Sequence, residues 1–256
     1  MKNMKIKEIK ELLKKEVPQE ILNELSKDKR KGVEKELEKY YKKQKQKELF
    51  KKEYQKRTIY EKKLYDKGYK YICGIDEVGR GPLAGPLVVA CVILKKDSFF
   101  EGLCDSKKIP RKKREELAEK IKKEALDYAI LELDNFEIEK YNIYGATKVA
   151  MKECIKKLKI KPDFLLIDAM KIENEIKSLS IIKGDDKSVS IAAASVIAKV
   201  YRDQKMTDLA KIYPYYDFEN NMGYGTKKHL DGLKKYGFCK IHRRDFEPIK
   251  TMIKEV

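Results

Sequence analysis

The sequence predicts a mixed α/β sheet covered by helices, preceded by a helical, lysine-rich segment. Three observations lead there. Composition changes near residue 70; short apolar runs alternate with amphipathic stretches after it; before it, apolar residues recur at helical spacing with few β-branched runs.

Residues 1–69 read as a basic helical extension. Residues 1–70 carry 24 Lys/Arg against 13 Asp/Glu, so +11 of the chain's +18 sits in about a quarter of its length. Ile6, Ile9, Leu12 and Leu13, then Val33, Leu37, Tyr40 and Tyr41, fall on helical faces, with Pro18 and Gly32 as punctuation. Two or three helices are expected. Such a segment is either a solvated extension or a binder of phosphate backbone.

Residues 70–256 read as one further domain. YICGI (71–75), LVVACVIL (87–94), YAILEL (128–133), FLLI (164–167) and LSII (179–182) have the length and β-branched content of strands. The first two suit a hairpin. Arg111–Glu124 and Gly145–Leu158 follow a helical pattern, as does Ser188–Asp203, whose Ala192, Ala193, Ala194 and Ser195 would let it pack closely on a sheet. Thr226–Tyr236 forms a late helix with Thr226 as its cap.

Several classes drop out. The longest uncharged stretch, Gly81 to Leu94, is 14 residues with two prolines, too short and too broken to span a bilayer. The start has no apolar core of the kind a secretion signal requires. Five cysteines, an odd number without C-x-x-C spacing and mostly beside apolar residues, are expected as reduced, buried thiols in a cytoplasmic protein. The basic excess points to a polyanionic partner.

The informative feature is where certain acids fall. Asp76 and Glu77 close the first strand, Asp168 ends FLLI, and Asp185 follows LSIIKG. An acid at the end of a buried strand is costly unless compensated, and three such strand ends can gather carboxylates at one sheet edge. Clustered carboxylates repel, and a hard divalent cation relieves the repulsion. With two histidines in the chain, an all-oxygen site favours Mg²⁺ or Mn²⁺ over zinc. Each acid alone has a plainer use, since Asp after a strand commonly forms a turn or caps a helix. Asp186 suits that plain cap. Adjacent Asp76 and Glu77 would point to opposite faces of a regular strand, so sharing a site requires the strand to end or bend there. Position alone therefore admits structural acids or a two-metal phosphodiester hydrolase. The following run Gly79-Arg80-Gly81-Pro82-Leu83-Ala84-Gly85-Pro86 is equally a tight hairpin loop or a close approach to a nucleic-acid backbone.

The run GIDEVGRGPLAGP (74–86) resembles the signature of bacterial ribonuclease HII. DSKKIPRKKREEL (105–117), FLLIDA (164–169), KGDDKSVSIAAASVIAKVYRD (183–203), GYGTKKHL (223–230) and IHRRDF (241–246) resemble that family's later blocks, in order. The likeness covers about residues 70–256; residues 1–70 resemble, more loosely, a basic extension found in some members. The related ribonuclease HIII family lacks the G-R-G-P-L-A-G-P run and starts with a β-rich platform. The resemblance implies a ribonuclease H-like mixed sheet flanked by helices, with C-terminal helices. It implies Asp76, Glu77, Asp168 and Asp185 as metal-binding catalytic acids for Mn²⁺ or Mg²⁺. It sets Gly79, Arg80, Gly81 and Tyr224 at the ribose, whose 2′-hydroxyl separates a ribonucleotide from DNA. The implied substrates are RNA/DNA hybrids and DNA with embedded ribonucleotides, cut on the 5′ side of the ribonucleotide to leave 3′-hydroxyl and 5′-phosphate ends. Lys107, Lys108, Lys183, Lys227, Lys228, Arg243 and Arg244 are candidate phosphate contacts, or ordinary surface charges. No membrane association and no obligate oligomer are expected; a monomer suffices.

Overall fold

The computed structural model describes residues 4–254 and divides into two compact units, Met1–Gln55 and Lys56–Val256. In the first, α1 (Ile6–Leu12), α2 (Gln19–Leu25) and most of α3 (Lys31–Arg57) enclose a small core of Ile9, Leu13, Leu22, Leu25, Val33 and Leu37. Val33, Leu37 and Tyr40 fall one helical turn apart on α3, as the spacing requires. The Tyr40 hydroxyl accepts the Val17 N–H at 3.3 Å.

The second unit begins before the composition changes. Its first helix, α4 (Ile59–Asp66), is as rich in lysine as what precedes it, yet buries Leu64 with Ile72, Leu166, Ile181 and Ile191. Five strands follow: β1 (Ile72–Val78), β2 (Leu87–Ile93), β3 (Asp127–Leu133), β4 (Phe164–Asp168) and β5 (Ser178–Ile181). They form one sheet in the order β3-β2-β1-β4-β5. The β1/β2 and β2/β3 pairs are antiparallel; β1/β4 and β4/β5 are parallel. The expected mixed sheet, with its opening hairpin, is therefore present.

Helices cover both faces, with α5 (Arg111–Glu124) against the long α8 (Val189–Ile212) on one side. On the other, α6 (Asn135–Lys156) packs Ala146, Ala150, Met151 and Cys154 on Cys73, Ile75, Val89 and Cys91. Ala192, Ala193 and Ala194 of α8 are fully buried. Gly74 permits the close approach, because a Cβ there would lie 2.0 Å from the Ser190 carbonyl carbon. Beyond the short α7 (Gly184–Lys187), the C-terminal helices α9 (Phe218–Asn221), α10 (Lys227–Tyr236) and α11 (Ile249–Lys254) build a further cluster around Met206, Phe218, Leu233 and Ile249. All five cysteines are unpaired. Among the described residues no helix is long and apolar enough to cross a membrane.

Three local expectations need correction. The first strand does not stop at Ile75: Asp76, Glu77 and Val78 stay in the ladder opposite Ala90, Val89 and Val88. Helix α6 starts at Asn135, ten residues before Gly145, and kinks at Asn142 (φ 52°), whose Oδ1 accepts the N–H groups of Tyr144 and Gly145. The cap of α8 is Ser188, whose Oγ accepts the Ile191 N–H, while Asp186 pairs with Lys108 at 2.8 Å.

Candidate active site

The four acids gather at the carboxyl end of the central parallel pair. The β1/β4 ladder runs as far as Ile75 opposite Ile167, so Asp76 and Asp168 come next on adjacent strands. Because β4 ends at Asp168, level with Asp76, while β1 continues, Glu77 has no strand beside it on that side. Carboxylates from both faces of β1 can therefore approach the same edge although the strand neither ends nor bends between them. Asp185 arrives on α7, after β5.

Asp76 is only 6% exposed and its Oδ1 accepts the Glu77 N–H at 2.8 Å. Burial, then repulsion from Glu77, Asp168 and Asp185, pushes its carboxyl well above the usual range, against the help of a hydrogen bond from Ser195. Glu77 is also raised, by burial first and by Asp168, while Arg80 opposes the shift. Its Oε1 meets Arg80 Nη1 at 3.3 Å, and its buried Oε2 has no hydrogen-bond partner. Asp168 Oδ1 accepts the Gly184 N–H at 2.7 Å, tying the end of β4 to the turn that carries Asp185. Half-buried Asp185 is raised by burial, then by Asp105 and Asp168, with Lys107 opposing.

Buried acids that repel one another, one with an orphaned oxygen, are a donor set suited to a hard cation. Among the described residues no three acids, histidines or cysteines form a closed cage for one ion.

The glycine-rich loop is held from beneath. Gly79 has φ +97°, and a Cβ there would lie 2.4 Å from Arg202 Nε. Two fully buried guanidinium groups bond the loop carbonyls. Arg202 donates to Pro86 O at 2.8 Å, Ala84 O at 3.2 Å and Met222 O at 2.8 Å. Arg243 donates to Arg80 O at 2.9 Å, to Gly85 O at 2.9 Å and to Gly79 O.

This corrects one expectation directly. Arg243 is not at the surface to meet a phosphate, because its whole donor fork is spent on the loop. Lys107, Lys183, Lys227 and Arg244 are exposed as expected, whereas Lys108 and Lys228 make ion pairs with Asp186 and Asp217. Tyr224 is 46% exposed, and a Cβ on Gly81 would stand 3.6 Å from its ring. Arg80, Gly81 and Tyr224 thus meet at one place, beside Glu77. Sequence reasoning missed Arg202, Ser195 and Asp105. Arg202 stands in the polar stretch KVYRDQK (199–205) and all three look like ordinary polar residues in the sequence.

The family model described as Ribonuclease HII matches residues 73–249, and the Ribonuclease HII N-terminal domain matches residues 5–65. A ribonuclease HII of Caldanaerobacter subterraneus subsp. tengcongensis is 54% identical over 196 residues, covering 76% of this chain and 81% of the relative. Among solved structures, the ribonuclease H2 of Pyrococcus horikoshii superposes with TM-score 0.63 at 26% identity, covering 72% of this chain and 97% of that one. The ribonuclease HII of Archaeoglobus fulgidus, solved with PCNA, gives TM-score 0.59 at 27% identity, covering 69% and 95%. A ribonuclease HIII solved with Mn²⁺ shares the fold, with TM-score 0.54 at 19% identity over 73% of this chain and 70% of that one.

Proposed function

The chain belongs to the ribonuclease HII family and is a ribonuclease H-type endonuclease, and from that premise we propose that it hydrolyses the phosphodiester bond 5′ to a ribonucleotide in RNA/DNA hybrids or in DNA with embedded ribonucleotides. The observation that carries the reading is the meeting of Asp76, Glu77, Asp168 and Asp185 at one sheet edge, beside the Arg80–Gly81–Tyr224 surface.

The four carboxylates would hold two Mn²⁺ or Mg²⁺ ions. Ions bound there supply an activated water and stabilisation of the leaving 3′-oxygen. The chain's own residues do the rest. Asp168 is oriented by the Gly184 N–H, and Asp76 by the Glu77 N–H. Burial on β1 excludes bulk water from Asp76 and Glu77, so their attraction for a bound cation would be less screened. Arg80 stands between Glu77 and the ribose side and can neutralise a phosphate oxygen. Gly79 and Gly81 allow main-chain approach to the sugar, and Tyr224 stacks or hydrogen-bonds at the ribose. Exposed Lys107 and Lys183 offer charge to flanking phosphates. One chain contributes every acid, so no second copy is required. Five unpaired thiols suit a cytoplasmic, reducing setting.

The test is a 5′-labelled DNA duplex carrying one ribonucleotide, incubated with and without Mn²⁺ or Mg²⁺. Cleavage on the 5′ side with a 3′-hydroxyl product is expected with metal. The 2′-deoxy duplex should stay intact yet bind with only modestly lower affinity, since phosphates supply most of it. Comparable cutting of both duplexes would defeat the proposal.

A further inference from the structure

The chain's two histidines lie buried against each other, His229 0% and His242 1% exposed, with their Nε2 atoms 2.9 Å apart. At that separation one ring donates and the other accepts. The outer nitrogens settle which. His242 Nδ1 accepts the Cys239 main-chain N–H at 2.9 Å, so its own hydrogen is on Nε2. His229 Nε2 therefore accepts, and His229 Nδ1–H donates to the Tyr224 carbonyl at 2.9 Å. The bonds run one way, from Cys239 through both rings to Tyr224, and they close only while both rings are neutral. Burial keeps both imidazoles below their ordinary value, His242 down to about 4. The rings of Tyr216 and Phe218 wall the pair off.

The pair joins two segments that approach the glycine-rich loop. On one side, the Tyr224 carbonyl also accepts the Thr226 N–H, and neighbouring Gly223 O accepts the Leu83 N–H at 2.8 Å. On the other, His242 pairs with Ala84 in an isolated bridge, and the next residue is Arg243, the strut beneath the loop. A merely space-filling pair would be met by two apolar side chains, which is often neutral or stabilising in place of a buried polar pair. What the imidazoles add is a fixed direction and length between the segments.

We propose that His229 and His242 are positioning residues that hold Tyr224 in register with Arg80 and Gly81. This rests on the reading of that surface as the ribose contact. The probe is the full chain with His229→Leu and His242→Met together, which removes both partners at once and leaves no lone imidazole buried. On the single-ribonucleotide duplex, kcat should fall by about 10- to 100-fold, the loss a small misplacement produces. Affinity for the uncleavable 2′-deoxy duplex should change by no more than about twofold, since phosphates dominate it. Amide exchange should quicken at Leu83 and Thr226 but not at Gly184, which is bonded to Asp168. Unchanged kcat with unchanged exchange would overturn the proposal.

Wild-type protein gives a second arm should the double variant fail to fold. With two histidines in the chain, ¹⁵N imidazole spectra at pH 7 should show two neutral rings of opposite tautomer, protonated on Nδ1 in His229 and on Nε2 in His242. Matching tautomers or a charged ring would refute the arrangement. Tyr224→Ala separates the premises. Full cleavage by that variant would defeat the ribose reading, and the exchange rates at Leu83 and Thr226 would then decide the positioning role alone.

Discussion

Replacing Arg243 by lysine distinguishes a loop strut from a phosphate contact. Lysine keeps the positive charge, so at a phosphate it would largely preserve binding and its salt dependence. Beneath the loop it cannot serve, because a compact ammonium on a flexible stem does not reproduce a planar fork bonded to Gly79 O, Arg80 O and Gly85 O. Although burial and neighbouring Arg202 push the Arg243 guanidinium down to about 9, it stays charged at pH 7, and all three of its nitrogens donate to the loop. A buried acceptor left without a donor costs roughly 1–3 kcal/mol. Lysine can satisfy one of the three carbonyls and water can reach the half-exposed rim near Arg80, so the net loss is about 3 kcal/mol, at the low end of the range for broken buried networks. For a unit of this size that lowers Tm by about 6–12 °C. Thermal melts in chelator read the stability, and nitrocellulose binding at several salt concentrations reads the phosphate term. A variant with wild-type Tm and an unchanged salt slope would refute the strut and return Arg243 to the phosphate contacts.

Two further outcomes are expected. Asp185→Asn removes one charge from a group whose carboxyl is raised, hence whose ionised form opposes folding at neutral pH; Asn Oδ1 can still accept the Asp186 N–H. Tm in chelator should rise by a few degrees, cleavage should disappear, and Mg²⁺ should stabilise wild type more than the variant; a destabilised, active Asp185→Asn would remove this residue from the site. Deleting residues 1–55 should leave a folded nuclease with a shallower salt dependence, whereas deleting 1–68 should also lower Tm, since it strips Leu64 from the core and Glu61 from the Ser188 hydroxyl and Ser190 N–H it accepts. Equal melting of the two truncations would contradict that role for α4.

The sheet was legible because each strand is a short apolar run, and the site because its acids break those runs at their ends. The same acids hid part of the fold. Asp76 and Glu77 end the apolar pattern while the backbone ladder continues to Val78, since main-chain pairing does not depend on side-chain polarity. The kink in α6 rests on Asn142 capping within a helix, a local bond that periodicity cannot see. Arg243 reads as one more basic residue in IHRRDF; its partners are carbonyls, which leave no trace in residue type. The boundary at Gln55 was invisible for a similar reason. Lys62, Lys63 and Lys67 give α4 the composition of the extension, while two residues, Glu61 and Leu64, determine where it packs.

The two kinds of arginine near the site explain how a protein of net charge +18 can present four acids to a polyanion. Arg202 and Arg243 are consumed by loop carbonyls and offer nothing to a phosphate, although their charge supports the field around the loop. Arg80 is different. Its side chain is 39% exposed and its bond to Glu77 is long, at 3.3 Å, so it can turn toward an incoming phosphate although Glu77 itself is only 12% exposed. Drawing Arg80 away would expose Glu77 to fuller repulsion from Asp76 and Asp168. On the proposed reading, phosphate approach and cation demand would be coupled through one side chain: the more Arg80 turns to the substrate, the more the acids would require a divalent ion.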